Sequence, residues 1–443
     1  GRSWREITLT YIDEYFELMD ALNIQRADRY PKCSDYIDRM AVFIGELIKS
    51  GHAYESGGDV YFDIRTATGY GALSGRTLDE RRDGASGRTG NETDRKRHPA
   101  DFALWKAVQS DKEPRWPSPF GFGRPGWHIE CSVMSADVLG PQFDIHGGGQ
   151  DLVFPHHENE RAQSLAHGDS FAKYWMHNGF VGFDFKALPE DVFEKIRVEQ
   201  PEAIDEKGNI KPGKSLWKYL EPLGLAQWLK DAIRPRGAVD PMAIRLALLG
   251  VHYRKPIHFS PKLLADSEGS YTRLLTSLDI SKRFLEKPIA PSTSASPSDA
   301  SLRLIADSTD SMANFKTSMD DDLNTAAALA GLFTLSVALN RYCADGLCDS
   351  AGRDAVSVAR ATIIEQMETL GLRARINGEA RGKSDSDDIA TPLLNIILDI
   401  RANARASKQY AIADKIRDSL NAAGLKIEDG PDGKPIIKRE PAR

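Results

Sequence analysis

At 443 residues, with 41% hydrophobic and 28% charged residues, the chain is too long for one small core and suits two to four globular domains. Its net charge of -6 excludes a protein that coats polyanions through overall charge, though a local basic patch for RNA remains compatible. No apolar run approaches the roughly 18 residues of a membrane span, and no secretory signal is visible. The four cysteines (Cys33, Cys131, Cys343, Cys348) form no CxxC pair. Reduced thiols in a cytosol-like compartment are expected.

Taken in order, Ser3 to Asn23 reads as an amphipathic helix with Ile7, Tyr11, Tyr15, Leu18 and Leu22 on one stripe. The chain opens on it directly and begins with Gly, which reads as a piece of a longer or processed sequence. Cys33 to Gly51 predicts a second helix, with Ser34 as its N-cap. Ala53–Glu55 and Val60–Asp63 predict a hairpin across Ser56-Gly57-Gly58. Arg76 to His98, charged and glycine-containing, reads as an exposed segment, and Asp101–Lys106 as a short packed element.

The densest chemistry lies between Gly126 and Glu160. Phe143–Ile145 reads as a short strand and His146-Gly147-Gly148-Gly149 as a tight turn at its carboxyl end, where open α/β sheets place ligands. A helix is expected from about Asp151, with Pro155 near its first turn. On it His156 and Glu160 share a face, whereas His157 and Glu158 point away. Cys131, His156 and Glu160 offer a thiolate, an imidazole and a carboxylate, all zinc-ligand types. The same residues also read as a buried free cysteine beside a polar helix face.

Further on, Phe183 to Gly208 is acidic with Pro189 and Pro201, and Lys211-Pro212-Gly213-Lys214-Ser215 is a basic turn. Asp240-Pro241 starts an apolar helix with Met242, Ile244, Leu246 and Leu248, followed by His252-Tyr253-Arg254. Glu268–Lys287 is amphipathic, and Pro288–Ala300 reads as a linker. Helices follow at about Ala300–Ser318, Leu323–Cys343 and Val356–Leu370, with Asp322 or Asn324 capping the second. After a charged linker at 377–389 come helices at 392–406 and 410–423 and a terminal strand from Leu425.

GWHIECS, FDIHGGGQDL, FPHHENE and YWMHNGFV, in this order, resemble the cysteinyl-tRNA synthetase family of class I aminoacyl-tRNA synthetases. The later MDDDLNT and HYR stretches extend the resemblance over nearly the whole chain. It implies an α/β fold: a partial Rossmann-like catalytic domain, an α-helical bundle and a small anticodon-binding domain. The corresponding divisions are an insertion over 1–111, the second half of the catalytic fold over 112–260, the bundle over 261–376 and the anticodon-binding part over 390–443.

The resemblance also implies roles. Cys131, His156 and Glu160 become ligands of Zn2+ that contacts the substrate thiolate, a soft sulfur which serine lacks. Trp127 and His128 border the amino-acid pocket, although Trp127 alone would also suit core packing. His146, Gly147, Gly148, Gly149 and Asp151 approach the adenosine of ATP, and Asn178, Gly179 and Val181 its adenine, the alternative for the last three being a plain buried strand.

Lys211, Lys214 and Ser215 stand where the family carries its KMSKS loop, with Pro-Gly in place of Met-Ser. There the lysines would stabilise charge on pyrophosphate leaving with Mg2+; a solvated basic turn is the other reading. Arg405, Asp414 and Asp429 match anticodon-reading positions, or else a solvated helix face. Cysteine, ATP and tRNA(Cys) are the implied partners, with a monomer, no membrane and a cytoplasmic location. The family's upstream HIGH motif and its further zinc cysteine do not occur in these residues. Two other readings follow: a ligase joining cysteine to a small amine, as in mycothiol synthesis, and a catalytically inactive tRNA-binding or regulatory relative.

Overall fold

Two consecutive glycines make the first hairpin. Gly57 and Gly58 have φ of 61° and 87°, the left-handed values that a two-residue hairpin turn requires. Strand β1 (Ala53–Ser56) therefore returns directly into β2 (Asp59–Phe62), with Ser56 opposite Asp59. The computed structural model describes residues 3–76, 95–108, 110, 113–183, 194, 197–198, 239–290, 297–374, 414, 425–429 and 435–439. The chain divides into two compact units, Gly1–Ala374 and Arg375–Arg443.

In the first unit, α1 (Trp4–Ala21) is closed at its start by a capping box between Ser3 and Glu6. Its expected stripe stays largely exposed, with Ile7 and Tyr15 facing solvent; only its C-terminal end packs, where Leu18 and Leu22 meet Ile244 and Leu264. The second helix is shorter than the sequence suggests. A 3-10 turn spans Cys33–Asp35, and α2 runs from Ile37 to Lys49 after Tyr36, without the Ser34 cap. Its buried face (Met40, Ile44, Leu47) covers a four-stranded antiparallel sheet in the order β1-β2-β3-β4, with β3 at Phe102–Ala107 and β4 at Gly123–Pro125. Buried Asp101 ties this layer together, accepting from the Tyr54 hydroxyl (2.5 Å) and the Ile64 and His98 amides (3.0 Å each).

The chain then enters α3 (Trp127–Leu139), β5 (Gln142–Gly149), α4 (Glu158–His167) and β6 (Phe171–Asn178). β5 and β6 are parallel, with α4 as the crossover. β7 (Val181–Phe183) pairs in parallel with β8 (Ile257–Phe259), and α5 (Pro241–Leu249) lies between them in sequence. Asp240 caps α5 by accepting from the Met242 amide, with Pro241 in the first turn.

A helical bundle follows. α6 spans Pro261–Glu286, seven residues earlier in its start than the amphipathic pattern suggests, because Ser260 caps it and Pro261 occupies its first turn. α7 (Asp299–Asp320), α8 (Thr325–Asp345) and α9 (Ser350–Thr369) complete it. Asn324, not Asp322, caps α8. By length and composition α8 could cross a membrane, but Leu329, Leu332, Leu335 and Leu339 are buried in the bundle core with Leu274, Leu278 and Ile363. All four cysteines are free thiols. In the second unit, β9 (Leu425–Asp429) and β10 (Pro435–Arg439) form an antiparallel pair with Ile427 opposite Ile437.

Candidate metal centre and nucleotide site

The glycine run is strand rather than turn. β5 continues through Gly149, pairing Gly147, Gly148 and Gly149 with Met176, His177 and Asn178. None of these three glycines has a positive φ, so their value is the absent side chain. A Cβ on Gly148 would lie 2.7 Å from the His157 ring, and one on Gly149 would strike the Asp151 carboxylate. A Cβ on Gly147 would meet nothing nearer than the Met176 carbonyl oxygen at 3.8 Å, which leaves that position open.

The helix expected from Asp151 begins later. Gln150–Leu152 is a 3-10 turn holding exposed Asp151, Val153–His157 is a π turn interrupted by extended Phe154 (φ -141°, ψ 129°), and α4 starts at Glu158. Pro155 therefore sits in the π turn rather than the first turn of the helix. Even so, His156 and Glu160 meet, with Nε2 2.9 Å from Oε1. His146 on β5 reaches the other oxygen, Nε2 to Oε2 3.2 Å. Cys131 comes from α3, and the donor atoms of Cys131, His156 and Glu160 all lie within 4.8 Å of one another.

His157 does not point away, as the helical spacing suggests. It is buried, its Nδ1 is 2.8 Å from His177 Nε2, and with His146 and Glu160 it forms a second donor group of the same size. His157 already has α-helical φ and ψ (-67°, -35°), and at three residues before Glu160 it shares the face that His156 takes at four. His177 escaped the sequence reading altogether. Strand alternation could have found it, since Trp175 and His177 share one face of β6 and Trp175 packs against the His146 ring.

Glu160 is completely buried, and neither of its oxygens accepts a well-directed hydrogen bond despite the two nearby imidazoles. Burial by itself would raise its pKa; His146 and His156 outweigh it and hold the carboxyl at about 2. Burial pushes the Cys131 thiol well up, and the Glu160 and Glu130 carboxylates add to this. The carboxylate opposes formation of the Cys131 thiolate without a cation and accompanies it favourably with one. Ligands about 2.0–2.3 Å from a tetrahedral ion lie within such a spread. The residues fit a zinc ion: orphaned carboxylate oxygens, a thiol and an imidazole from three separate turns of chain. His156 Nδ1 is 2.8 Å from His128 Nδ1, which can fix the tautomer that leaves Nε2 free as a ligand.

Trp127 opens α3 and is 58% exposed, which rules out simple core packing; its ring lies 4.4 Å from that of His156. His128 is buried beneath it. On the far side of β6, Gly179 donates its amide to the Tyr253 carbonyl (2.7 Å), and Phe180 accepts from the Ile257 amide (2.9 Å). Val181 is 65% exposed, so this is not a buried strand, and Asn178 is exposed beside it. Asp414 is helical and exposed, and Asp429 ends β9. Lys211, Lys214, Ser215 and Arg405 lie outside the described residues.

The family model described as "tRNA synthetases class I (C) catalytic domain" matches residues 1–199, and the "DALR domain" model matches 314–374. The cysteine–tRNA ligase of Desulforudis audaxviator is 40% identical over 428 residues, covering 96% of this chain and 80% of that one. This chain belongs to the cysteine–tRNA ligase family. The Pelotomaculum thermopropionicum enzyme is 39% identical over 435 residues, again covering 96% and 80%. Among solved structures, Mycobacterium tuberculosis methionyl-tRNA synthetase bound by methionyl-adenylate is similar at a TM-score of 0.48 and 13% identity, covering 81% of this chain and 77% of that one. Membership makes the β5–β6 unit part of a class I catalytic domain, and the DALR match takes in the end of α7 with α8 and α9.

Proposed function

We propose that the chain ligates cysteine to tRNA(Cys) through the site assembled on α3, β5, α4 and β6. The observation that carries the reading is the convergence of Cys131, His156 and Glu160, with buried carboxylate oxygens lacking directed hydrogen bonds. In the first step a carboxylate oxygen of cysteine attacks the α-phosphorus of ATP; the bond to the bridging oxygen breaks and pyrophosphate leaves with Mg2+. In the second, the terminal ribose hydroxyl of tRNA attacks the adenylate carbonyl, loses its proton, and AMP departs. The residues act by placement and electrostatics rather than by a covalent intermediate.

Cys131, His156 and Glu160 hold Zn2+, which when bound supplies a soft contact for a thiolate and none of comparable strength for a neutral hydroxyl. Trp127 and His128 border the amino-acid side chain, and the exposed Trp127 ring excludes water there. His146, Gly147, Gly148, Gly149 and Asp151 border the adenosine; Gly147 admits it closely, whereas Gly148 and Gly149 make room for His157 and Asp151. Asn178, Gly179 and Val181 present backbone to adenine. Lys214, with Lys211 and Ser215, steadies the departing pyrophosphate. Arg405, Asp414 and Asp429 read the anticodon. The working division is 1–111, 112–260, 261–376 and 390–443, in a cytoplasmic monomer; four free thiols suit that compartment.

The test is ATP–pyrophosphate exchange after zinc loading, with cysteine and with serine. Exchange for cysteine alone supports the reading. Equal exchange for serine sinks the zinc-selection argument. No exchange, either from this chain or from this chain joined to the part of its relatives that it does not cover, sinks the ligase reading.

A further inference from the structure

Residues 252–256 lie between the bundle and the β6–β7 connection, and two of them face both ways. On the bundle side, the Asp322 carboxylate accepts from Arg254 Nε (2.5 Å) and Nη2 (3.0 Å) and from the Tyr253 hydroxyl (2.8 Å), with His252 Nε2 at 3.8 Å. On the other side the carbonyls of the same two residues are engaged. Tyr253 O accepts the Gly179 amide at 2.7 Å, and Arg254 O accepts the Gln150 side-chain amide at 3.0 Å. The contact is close: a Cβ on Gly179 would collide with the Lys255 backbone. Thr325 adds a second grip just before this segment, its hydroxyl donating to the carbonyl of Leu249 at the end of α5 (2.8 Å).

The corner that presents Asp322 is conformationally costly. Asp322 and Leu323 have φ of 51° and 56°, in the left-handed region that a leucine rarely enters. Burial does not repay Leu323, which is 42% exposed. What this backbone accomplishes is to end α7, start α8 and place a carboxylate squarely on a guanidinium. The bidentate pair with an added hydroxyl fixes orientation as well as distance. Asp322 is accordingly held low, at about 2, by Arg254 first and Tyr253 second.

From this geometry we propose that Asp322 is a positioning residue for the adenylate site, acting through Tyr253 and Arg254 to hold Gly179 and Gln150 in register. The bundle corner thereby sets the nucleotide side of the catalytic domain, so whatever moves α7 against α8 is transmitted there. This rests on the reading of Gly179 as an adenine contact, and the experiment separates the two.

Amide hydrogen exchange would be followed on the full chain for Asp322→Asn, Arg254→Gln and the double variant. Both side chains are about half exposed, so these conservative changes leave the core intact. Exchange in the segment spanning 178–181, and at Ile257, is expected to rise about three- to tenfold in each single variant, the low end reflecting solvent screening. The double variant should exchange no faster than either single, because both break one link. Segments within α8 should be unchanged. No change at 178–181, or an equal rise in α8 that marks general loosening, would overturn the proposal. In pyrophosphate exchange the same variants should raise the KM for ATP about as much and leave that for cysteine unmoved. If the exchange result holds while ATP affinity does not move, the mechanical coupling stands and the adenine assignment of Gly179 fails.

Discussion

Replacing Glu160 by Gln keeps shape and volume while removing one charge from the centre of the site. Its carboxylate faces His156 at 2.9 Å and His146 at 3.2 Å and is completely buried. Two consequences follow. In the metal-free protein the carboxyl is held at about 2 against an ordinary 4.5. A depression of that size corresponds to stabilisation on the order of 3 kcal/mol, fully present above pH 4.5 and lost as the pH falls through 2. In the zinc-bound protein the loss is that of a ligand. Outer-shell partners of metal ligands are worth about 10–100-fold in affinity, so losing an anionic ligand should exceed roughly 100-fold, or about 2.7 kcal/mol. Zinc affinity would be measured by competition with a chromophoric chelator, and cobalt substitution would show whether a thiolate-to-metal band persists. The expected result is a weakened site that keeps the band from Cys131. An affinity within tenfold of the parent would refute the assignment of Glu160 as a ligand.

Zinc binding should also depend on pH in a defined direction. The Cys131 thiol is pushed up by burial and by its carboxylate neighbours, so it is protonated at neutral pH without metal. Binding must then release that proton, and affinity should rise by about tenfold per pH unit between pH 6 and 8; calorimetry in buffers of different ionisation enthalpy would count the protons. Gly148→Ala and Gly147→Ala form a contrasting pair. The first drives a methyl group against His157 and should cost about 1–3 kcal/mol in urea unfolding. The second meets open space, should change stability by less than about 1 kcal/mol, and should weaken ATP binding if the nucleotide lies there. Asp101→Asn replaces a buried acceptor of three hydrogen bonds and should lower stability by about 2–4 kcal/mol, read from the urea midpoint; a loss below 0.5 kcal/mol would show that those donors find other partners.

Much of the fold follows from local rules that a sequence displays. The Gly57-Gly58 turn and the Asp240-Pro241 helix start depend on neighbours a few residues apart, and each stands where the spacing puts it; of the two caps that the spacing offers α8, Asn324 is the one used. The pairing of His156 with Glu160 was legible for the same reason. His157 was not. Its spacing of three residues from Glu160 also shares a helix face, but which flank of that face is buried depends on β5 and β6, whose His146 and His177 meet it. The glycine run suggests a turn because glycine marks turns in isolation; parallel pairing with β6 makes it strand, and the need for space around His157 and Asp151 explains the composition.

Residue types, motif order and tight turns such as Gly57-Gly58 were thus determined by the sequence alone, because they rest on covalent neighbours and short-range sterics. The tertiary structure decided which side chains converge. Cys131 and Glu160 are brought together by packing α3 against α4, and Asp322 is joined to Arg254 across 68 residues of chain. Such contacts depend on how several elements pack at once, and no window of sequence contains that information.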